Sequence, residues 1–288
     1  MRERSVMAAS SRRRGGRRLN PKKFIGRLVL LGLIIGLCFG VYKIGTALFA
    51  DDKAVKSGEV AVTEVPVFLS AAKEKATPKE YNGMKRKVAY LTFDDGPSKF
   101  TNELLDMLKQ HDIKATFYML GQNMHTYSDA VKRMAKEGHY PGLHSMTHEY
   151  NKLYKSGGST NFVNEFKEAQ EIVNQLTGVK PTNIRAPYGS APQIGEQFRA
   201  DIAAAGFTLW DWTLDSFDWK YPNDPNRIVD IVKSGLTKDV EIILLHERKQ
   251  TMEAMPAIIE YIKSQGYEFE VYNENAHFMV NFHDDKKL

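Results

Sequence analysis

Five short polar clusters in this chain of 288 residues hold the side chains that could do chemistry. Asp94 and Asp95 stand side by side ahead of Gly96 and Pro97. His144 and His148 are four residues apart in His-Ser-Met-Thr-His. Arg185 opens Arg-Ala-Pro-Tyr, which ends on Tyr188. Asp215 and Asp218 lie in Asp-Ser-Phe-Asp-Trp, which ends on Trp219. His246 follows Leu244 and Leu245 and precedes Glu247. Adjacent carboxylates suit divided labour, one holding a metal while the other removes a proton. Histidines spaced i, i+4 project from one face of a helical turn and could converge on one cation. Taken singly, each cluster has an ordinary reading: a turn, two surface histidines, a structural arginine, a loop with a packed tryptophan, a histidine closing a strand. Taken together, three acids, three histidines and an arginine are what metal-assisted hydrolysis needs, and no convincing covalent nucleophile accompanies them.

Elements with the right pattern stand ahead of these clusters. Residues 88–93 (VAYLTF) form a near-continuous apolar run, as expected of a strand covered on both faces. Residues 115–120, 139–143, 183–184, 207–212, 240–245 and 267–271 read as further strands. Helical spacing appears over 102–111, 128–138, 162–177, 195–205, 227–236 and 253–264, with Gly138 and Gly178 placed to stop two of them. Strand–helix alternation of this kind argues for a parallel α/β fold. In such folds the carboxyl ends of the strands carry the active site, and all five clusters are expected at that end. Residues 151–161 read as a loop containing Gly and Ser after the histidine pair. Trp210 and Trp212 are expected to pack in the wall, and Tyr118, Tyr150 and Tyr154 to be core or surface residues more than sugar-stacking ones. His111, His125, His139, His277 and His283 show no partner pattern.

The formal net charge is +5, but its distribution is uneven. Residues 1–27 hold ten basic residues and one acid, and the chain from residue 44 onward carries −5. The basic character is therefore that of a tail, and a nucleic-acid-binding function is not expected of the body. A hydrophobic content of 42% and a charged content of 26% exclude a disordered or collagen-like chain and a polytopic membrane protein. Cys38 is the one cysteine, so an internal disulfide and a cysteine zinc site are both excluded. Cys38 sits in the apolar stretch 28–50, which is long enough to cross a bilayer if Lys43 snorkels. The expected arrangement is a cytoplasmic tail (1–27), a single-pass anchor (28–50), a stalk (51–86) and an outward-facing catalytic domain (87–288), by the positive-inside rule. A cleaved secretory signal is the competing reading.

In order, TFDDGP, HSMTH, RAPY, DSFDW and LLH resemble the five motifs of the polysaccharide deacetylase family, the NodB-homology domain of carbohydrate esterase family four. Each string is weak alone and the ordered set is specific. The resemblance spans about residues 87–273 and implies an α/β fold, a distorted (β/α) barrel with fewer than eight full units, here with an N-terminal transmembrane helix. It implies Asp95, His144 and His148 as ligands of a divalent metal. Zinc suits that donor set, with cobalt, nickel and iron also compatible. It implies Asp94 as general base oriented by Arg185, His246 as general acid oriented and charge-tuned by Asp218, the Tyr188 amide at the oxyanion, and Trp219 and Leu244 around the acetyl methyl. The chain departs from the common pattern at Leu143, where many relatives have Asn, and at Glu247, where Asp is frequent. The implied reaction is N-deacetylation of N-acetylglucosamine in cell-wall peptidoglycan, releasing acetate. The same chemistry on N-acetylmuramic acid, chitin oligomers or another acetylated polysaccharide is the alternative. A non-catalytic wall-binding module is a further one.

Overall fold

A computed structural model describes residues 80–81 and 84–288. The segments expected to be a tail (1–27) and a membrane anchor (28–50), and most of the expected stalk, lie outside the described residues. Among the described residues no helix is long and apolar enough to cross a membrane.

Two short strands, β1 (Glu80–Tyr81) and β2 (Met84–Lys85), pair antiparallel and lead into β3 (Lys87–Gly96). The remaining strands are β4 (Thr116–Met119), β5 (Tyr140–Leu143), β6 (Asn183–Ile184), β7 (Thr208–Leu209), β8 (Leu214–Asp215), β9 (Val240–His246) and β10 (Tyr267–Glu270). They form one parallel sheet in the order β7-β6-β5-β4-β3-β9-β8. The long β3 is its axis. Its first half pairs with β10, its second half with β4, and its other edge runs along β9. The order does not close between β7 and β8, so the sheet is an open barrel, in keeping with the expected shortfall from eight full units. Beside the opening, Val280 of the C-terminal segment bridges Trp210 in parallel.

Alternation along β3 and β9 divides the core. Ala89, Leu91 and Phe93, with Ile243 and Leu245, face the helices. There they meet Leu104, Leu105 and Leu108 of α1 (Thr101–Gln110) and Ile258, Ile259 and Ile262 of α8 (Lys249–Ser264). Val88, Tyr90 and Ile242 face inward and pack with Tyr118, Tyr140, Tyr272 and the fully buried Trp210. This two-sided burial is why residues 88–93 read as an unbroken apolar run. The other helices are α2 (Gly121–Met124), α3 (Ser128–Lys136), α4 (Tyr150–Tyr154), α5 (Gly158–Thr177), α6 (Glu196–Ala204) and α7 (Pro225–Gly235). Gly138 and Gly178, both left-handed, follow α3 and α5 as expected.

Three expectations are corrected. Residues 144–148 are not a helical turn, because Ser145 and His148 take left-handed backbone angles, φ 73° and 61°. Residues 151–161 are not a loop throughout: α4 occupies their start, and α5 begins at Gly158. The Asp215–Trp219 cluster follows β8, a two-residue strand with too little periodicity to recognise, and not the strand containing Phe207.

Candidate active site

The carboxyl ends of β3, β5, β6, β8 and β9 bring the five clusters together. On a regular strand Asp94 and Asp95 would point to opposite faces. Here the pairing with β4 shifts register between Asp94 and Gly96, and Asp95 adopts φ 68°. This bulge turns the second carboxylate toward the histidines, so both acids serve one site.

Asp95, His144 and His148 place one candidate ligand atom each within 4.8 Å of one another. Asp95 Oδ1 lies 3.8 Å from His144 Nε2 and 3.6 Å from His148 Nε2. The His144 Nδ1 is 2.8 Å from the Arg185 carbonyl oxygen. That carbonyl only accepts, so Nδ1 carries the proton and Nε2 keeps its lone pair for a cation. One carboxylate oxygen and two Nε2 atoms fit a zinc-type ion, with room left for a substrate or water. Burial opposes ionisation of Asp95, but the combined charges of His144, His246, His148 and Arg248 outweigh it and hold the carboxyl below its ordinary range. His148 is pushed down by burial and by His144, which favours the neutral, ligating form. The residues expected as ligands are thus assembled, although by a loop and not by the anticipated helix face.

Asp94 is buried and hydrogen-bonded to Arg185, whose Nη1 donates to Oδ1 at 2.9 Å. The arginine is held on every side. Its Nη1 also donates to Thr92 Oγ1, its Nε to the Trp210 carbonyl at 3.1 Å and its Nη2 to the Asp211 carbonyl at 2.8 Å. Its guanidinium lies 4.1 Å from the centre of the Tyr118 ring. A fully buried arginine survives only with this degree of pairing.

On the opposite wall, His246 Nδ1 is 2.6 Å from Asp218 Oδ1. The other oxygen of Asp218 accepts from the His246 amide at 2.7 Å and from Thr251 Oγ1. Burial works against the imidazolium, yet the hydrogen bond and charge of Asp218, with Asp94 and Asp95 behind it, raise the His246 pKa above its ordinary value. His246 Nε2 points back toward the site, 3.9 Å from Asp95 Oδ2. Leu244 sits two residues earlier on the same inner face of β9 and is buried. Trp219 is half exposed, with Phe217 beside it at 5.9 Å between ring centres. Tyr188, at φ 68°, lays its exposed ring against His148 at 4.6 Å and donates its hydroxyl to the His148 carbonyl.

Sequence reasoning passed over several participants. Thr92 and Tyr118 serve Arg185. Asp211 is buried and holds Ser190 and the Phe282 amide, while its carbonyl takes Arg185. Arg248 Nη2 reaches Asp95 Oδ2 at 3.3 Å. Thr92 carried one signal: it is the small polar side chain in the apolar run 88–93. Glu247 turns away from the ligands. Its Oε2 accepts from the Ser98 amide at 3.1 Å, from Ser98 Oγ at 2.8 Å and from Thr101 Oγ1, tying the loop after β9 to the loop after β3. Gly96 makes room for it, since a Cβ there would stand 1.9 Å from Glu247 Oε1.

A half-open α/β barrel with an Asp-His-His cluster between an arginine-held aspartate and an aspartate-held histidine defines a metal-site hydrolase of the deacetylase type. Residues 81–210 match the family model of polysaccharide deacetylases. A peptidoglycan-N-acetylglucosamine deacetylase of Bacillus cereus is 43% identical, over 91% of this chain and 96% of its own length. The chain belongs to the polysaccharide deacetylase family. The crystal structure of the polysaccharide deacetylase Bc1974 from Bacillus cereus superposes with a TM-score of 0.68 at 48% identity, covering 70% of this chain and all of that one. A peptidoglycan-N-acetylmuramic acid deacetylase of Bacillus subtilis is 36% identical over 64% of this chain and 37% of its own length.

Proposed function

We propose that this enzyme removes the acetyl group from N-acetylglucosamine residues of peptidoglycan, in a reaction dependent on a divalent metal held by Asp95, His144 and His148. The observation that carries the reading is the pairing of two differently supported groups across that cluster: Asp94 on Arg185 and His246 on Asp218. When bound, an ion such as zinc supplies Lewis acidity to the amide carbonyl and acidifies a water beside it. Arg185 holds the Asp94 carboxylate aimed into the site, so Asp94 takes the proton as water attacks. The Tyr188 amide assists the developing oxyanion. An amine leaves poorly unless protonated, and His246, kept cationic by Asp218, is the group placed to donate that proton. Trp219 and Leu244 wall the space for the acetyl methyl. Products are acetate and a free amine on the sugar.

The length and identity of the match to the Bacillus cereus relative support N-acetylglucosamine as the substrate. Zinc is the proposed metal because one carboxylate and two imidazoles match its preference. The apolar stretch at 28–50 behind a basic tail supports a single-pass anchor with the catalytic domain outside the membrane and facing the wall. Acetate release from purified peptidoglycan, with modified sugars mapped by mass spectrometry, tests the assignment. Release at glucosamine that stops on chelation and returns with metal is expected. Release only at muramic acid overturns the sugar assignment, and no release with metal present overturns the reaction.

A further inference from the structure

Outside the catalytic groups, one buried carboxylate has an unexpected position. Glu165 lies on α5 among Phe162, Val163, Phe166 and Ala169, on the face that packs into the core, and is itself 3% exposed. A carboxylate there is unfavourable unless its oxygens are fully bonded. They are, with every hydrogen bond coming from one segment and an ion pair from the helix after it. Oε2 accepts from the Met146 amide at 3.1 Å and from the Thr147 amide at 3.1 Å. The Thr147 hydroxyl donates to Oε1 at 2.9 Å. Lys152 Nζ, from α4, completes the set at 2.9 Å.

That segment joins β5 to α4 and carries both histidines of the cluster. It has no ladder of its own to support it. Two of its residues, Ser145 and His148, are left-handed without being glycine, a conformation that persists only where the surroundings impose it. Local bonds account for part of the restraint: Ser145 Oγ accepts from the His148 amide at 3.0 Å, and Thr147 Oγ1 accepts from the Glu149 amide at 3.3 Å. Long-range bonds add to it: the Gly121 and Gln122 amides donate to the Ser145 and Met146 carbonyls at 2.9 and 3.1 Å, the Tyr188 hydroxyl donates to the His148 carbonyl, and Glu165 alone takes the amides of the two residues between the strained ones. The two histidines also differ in support. His144 is buried and fixed by the Arg185 carbonyl, whereas the His148 side chain is 27% exposed. The Glu165 bonds fall on the side of the segment leading to His148.

We propose that Glu165 is a positioning residue for the metal site, holding the Met146–Thr147 backbone so that the His148 imidazole stays in register with Asp95 and His144. This rests on the reading of those three residues as metal ligands. Groups that orient ligands in this way typically contribute about 10–100-fold to metal affinity.

The test uses the full-length protein in non-ionic detergent, stripped with chelator and titrated with Zn²⁺ calorimetrically and with Co²⁺ in the visible. Glu165→Leu keeps the volume in an apolar setting and removes every acceptor. Glu165→Gln keeps one oxygen able to accept both amides. The expected result is a Zn²⁺ Kd weakened about 10–100-fold in Glu165→Leu, with an altered Co²⁺ band, and substantial recovery in Glu165→Gln. Near-UV circular dichroism checks that each variant is folded. A folded Glu165→Leu protein with the parent's Kd and Co²⁺ spectrum overturns the proposal. Equal losses in Glu165→Leu and Glu165→Gln also overturn it, since charge and not loop positioning would then be responsible. If Glu165→Leu does not fold, Thr147→Val with Glu165→Gln decides: weaker Zn²⁺ binding in Thr147→Val supports the proposal, and parental binding in both overturns it. A parent protein that binds no divalent metal fails the metal reading itself, which the parent titration reveals separately.

Discussion

His139 offers a measurement of how strictly the interior excludes charge. It precedes β5 and is fully buried, with its ring edge-on to Phe117 at 5.5 Å between centres. Its Nδ1 accepts from the Ala115 amide at 3.1 Å, so the neutral ring carries its proton on Nε2, which has no hydrogen-bond partner. Burial, with Lys114 and Arg133 adding to it, lowers the pKa from 6.5 to about 3. The sign follows from linkage. The unfolded chain binds a proton at this residue below about pH 6.5 and the folded chain does not until about pH 3, so stability is lost as pH falls through that window. At pH 5 the loss is about 2 kcal/mol, from RT times the logarithm of the ratio of the two binding polynomials. The perturbation is His139→Gln, which cannot titrate. Urea unfolding of parent and variant at pH 7.5 and pH 5.0, at fixed ionic strength with chelator present, isolates the contribution, because every other titrating group is shared. The parent should lose about 2 kcal/mol more than the variant between the two pH values. Parallel losses in the two proteins, within about 0.5 kcal/mol, would refute the argument that His139 is kept neutral by burial.

Further outcomes follow from the site. Asp218→Asn removes the charge that holds His246 protonated, so the alkaline limb of the kcat profile moves to lower pH and kcat at neutral pH falls by up to about 10²–10⁴-fold; an unmoved limb with normal kcat would remove His246 from the acid role. His148→Ala should abolish the metal-dependent rise in melting temperature, which in the parent corresponds to about 2.7 kcal/mol at a metal concentration 100 times Kd; a persisting rise would place the ion elsewhere. Gly142→Ala would set a Cβ 2.8 Å from Tyr118 Cδ1 and 3.2 Å from the Phe117 carbonyl oxygen, displacing the ring beneath Arg185. A destabilisation of about 1–3 kcal/mol with a fall in kcat exceeding any rise in KM is expected, and an unchanged kcat would detach Tyr118 from the support of Asp94.

The residues that the structure gathers at the candidate site were legible because the chemistry restricts their types and because each cluster stands at a strand end. The strands themselves were legible where burial on both faces left a long apolar run, as in β3 and β9. They were not where pairing is only two residues long: β8 has no period to detect, and its place was credited to the strand before it. Glu165 and Asp211 escaped for a related reason. Neither is marked out by its local sequence, and the role of each exists only through partners far along the chain, Met146 and Thr147 for Glu165, Ser190 and Phe282 for Asp211.

The failure to anticipate the shape of the histidine segment has a more general cause. Seven non-glycine residues are left-handed among the described residues, and five of them, Asp95, Ser145, His148, Tyr188 and Phe217, stand in the site clusters. Only glycine adopts these angles freely, and nothing in the sequence marks these five positions for them, so a helical spacing was the natural reading of His144 and His148. The structure restrains each departure with a polar contact. The Asp95 carbonyl accepts from Asn123 Nδ2, the His148 amide donates to Ser145 Oγ, the Tyr188 hydroxyl reaches the His148 carbonyl, and the Phe217 amide donates to Asp215 Oδ1. Strain of this kind is useful where groups from different strands must meet at fixed separation. A bulge at Asp95 lets two consecutive acids act on one face, and a left-handed His148 turns its ring back toward a ligand four residues before it. Relaxed backbone would separate these pairs. The local propensities that make most of the fold readable are therefore overridden at the residues that assemble the site.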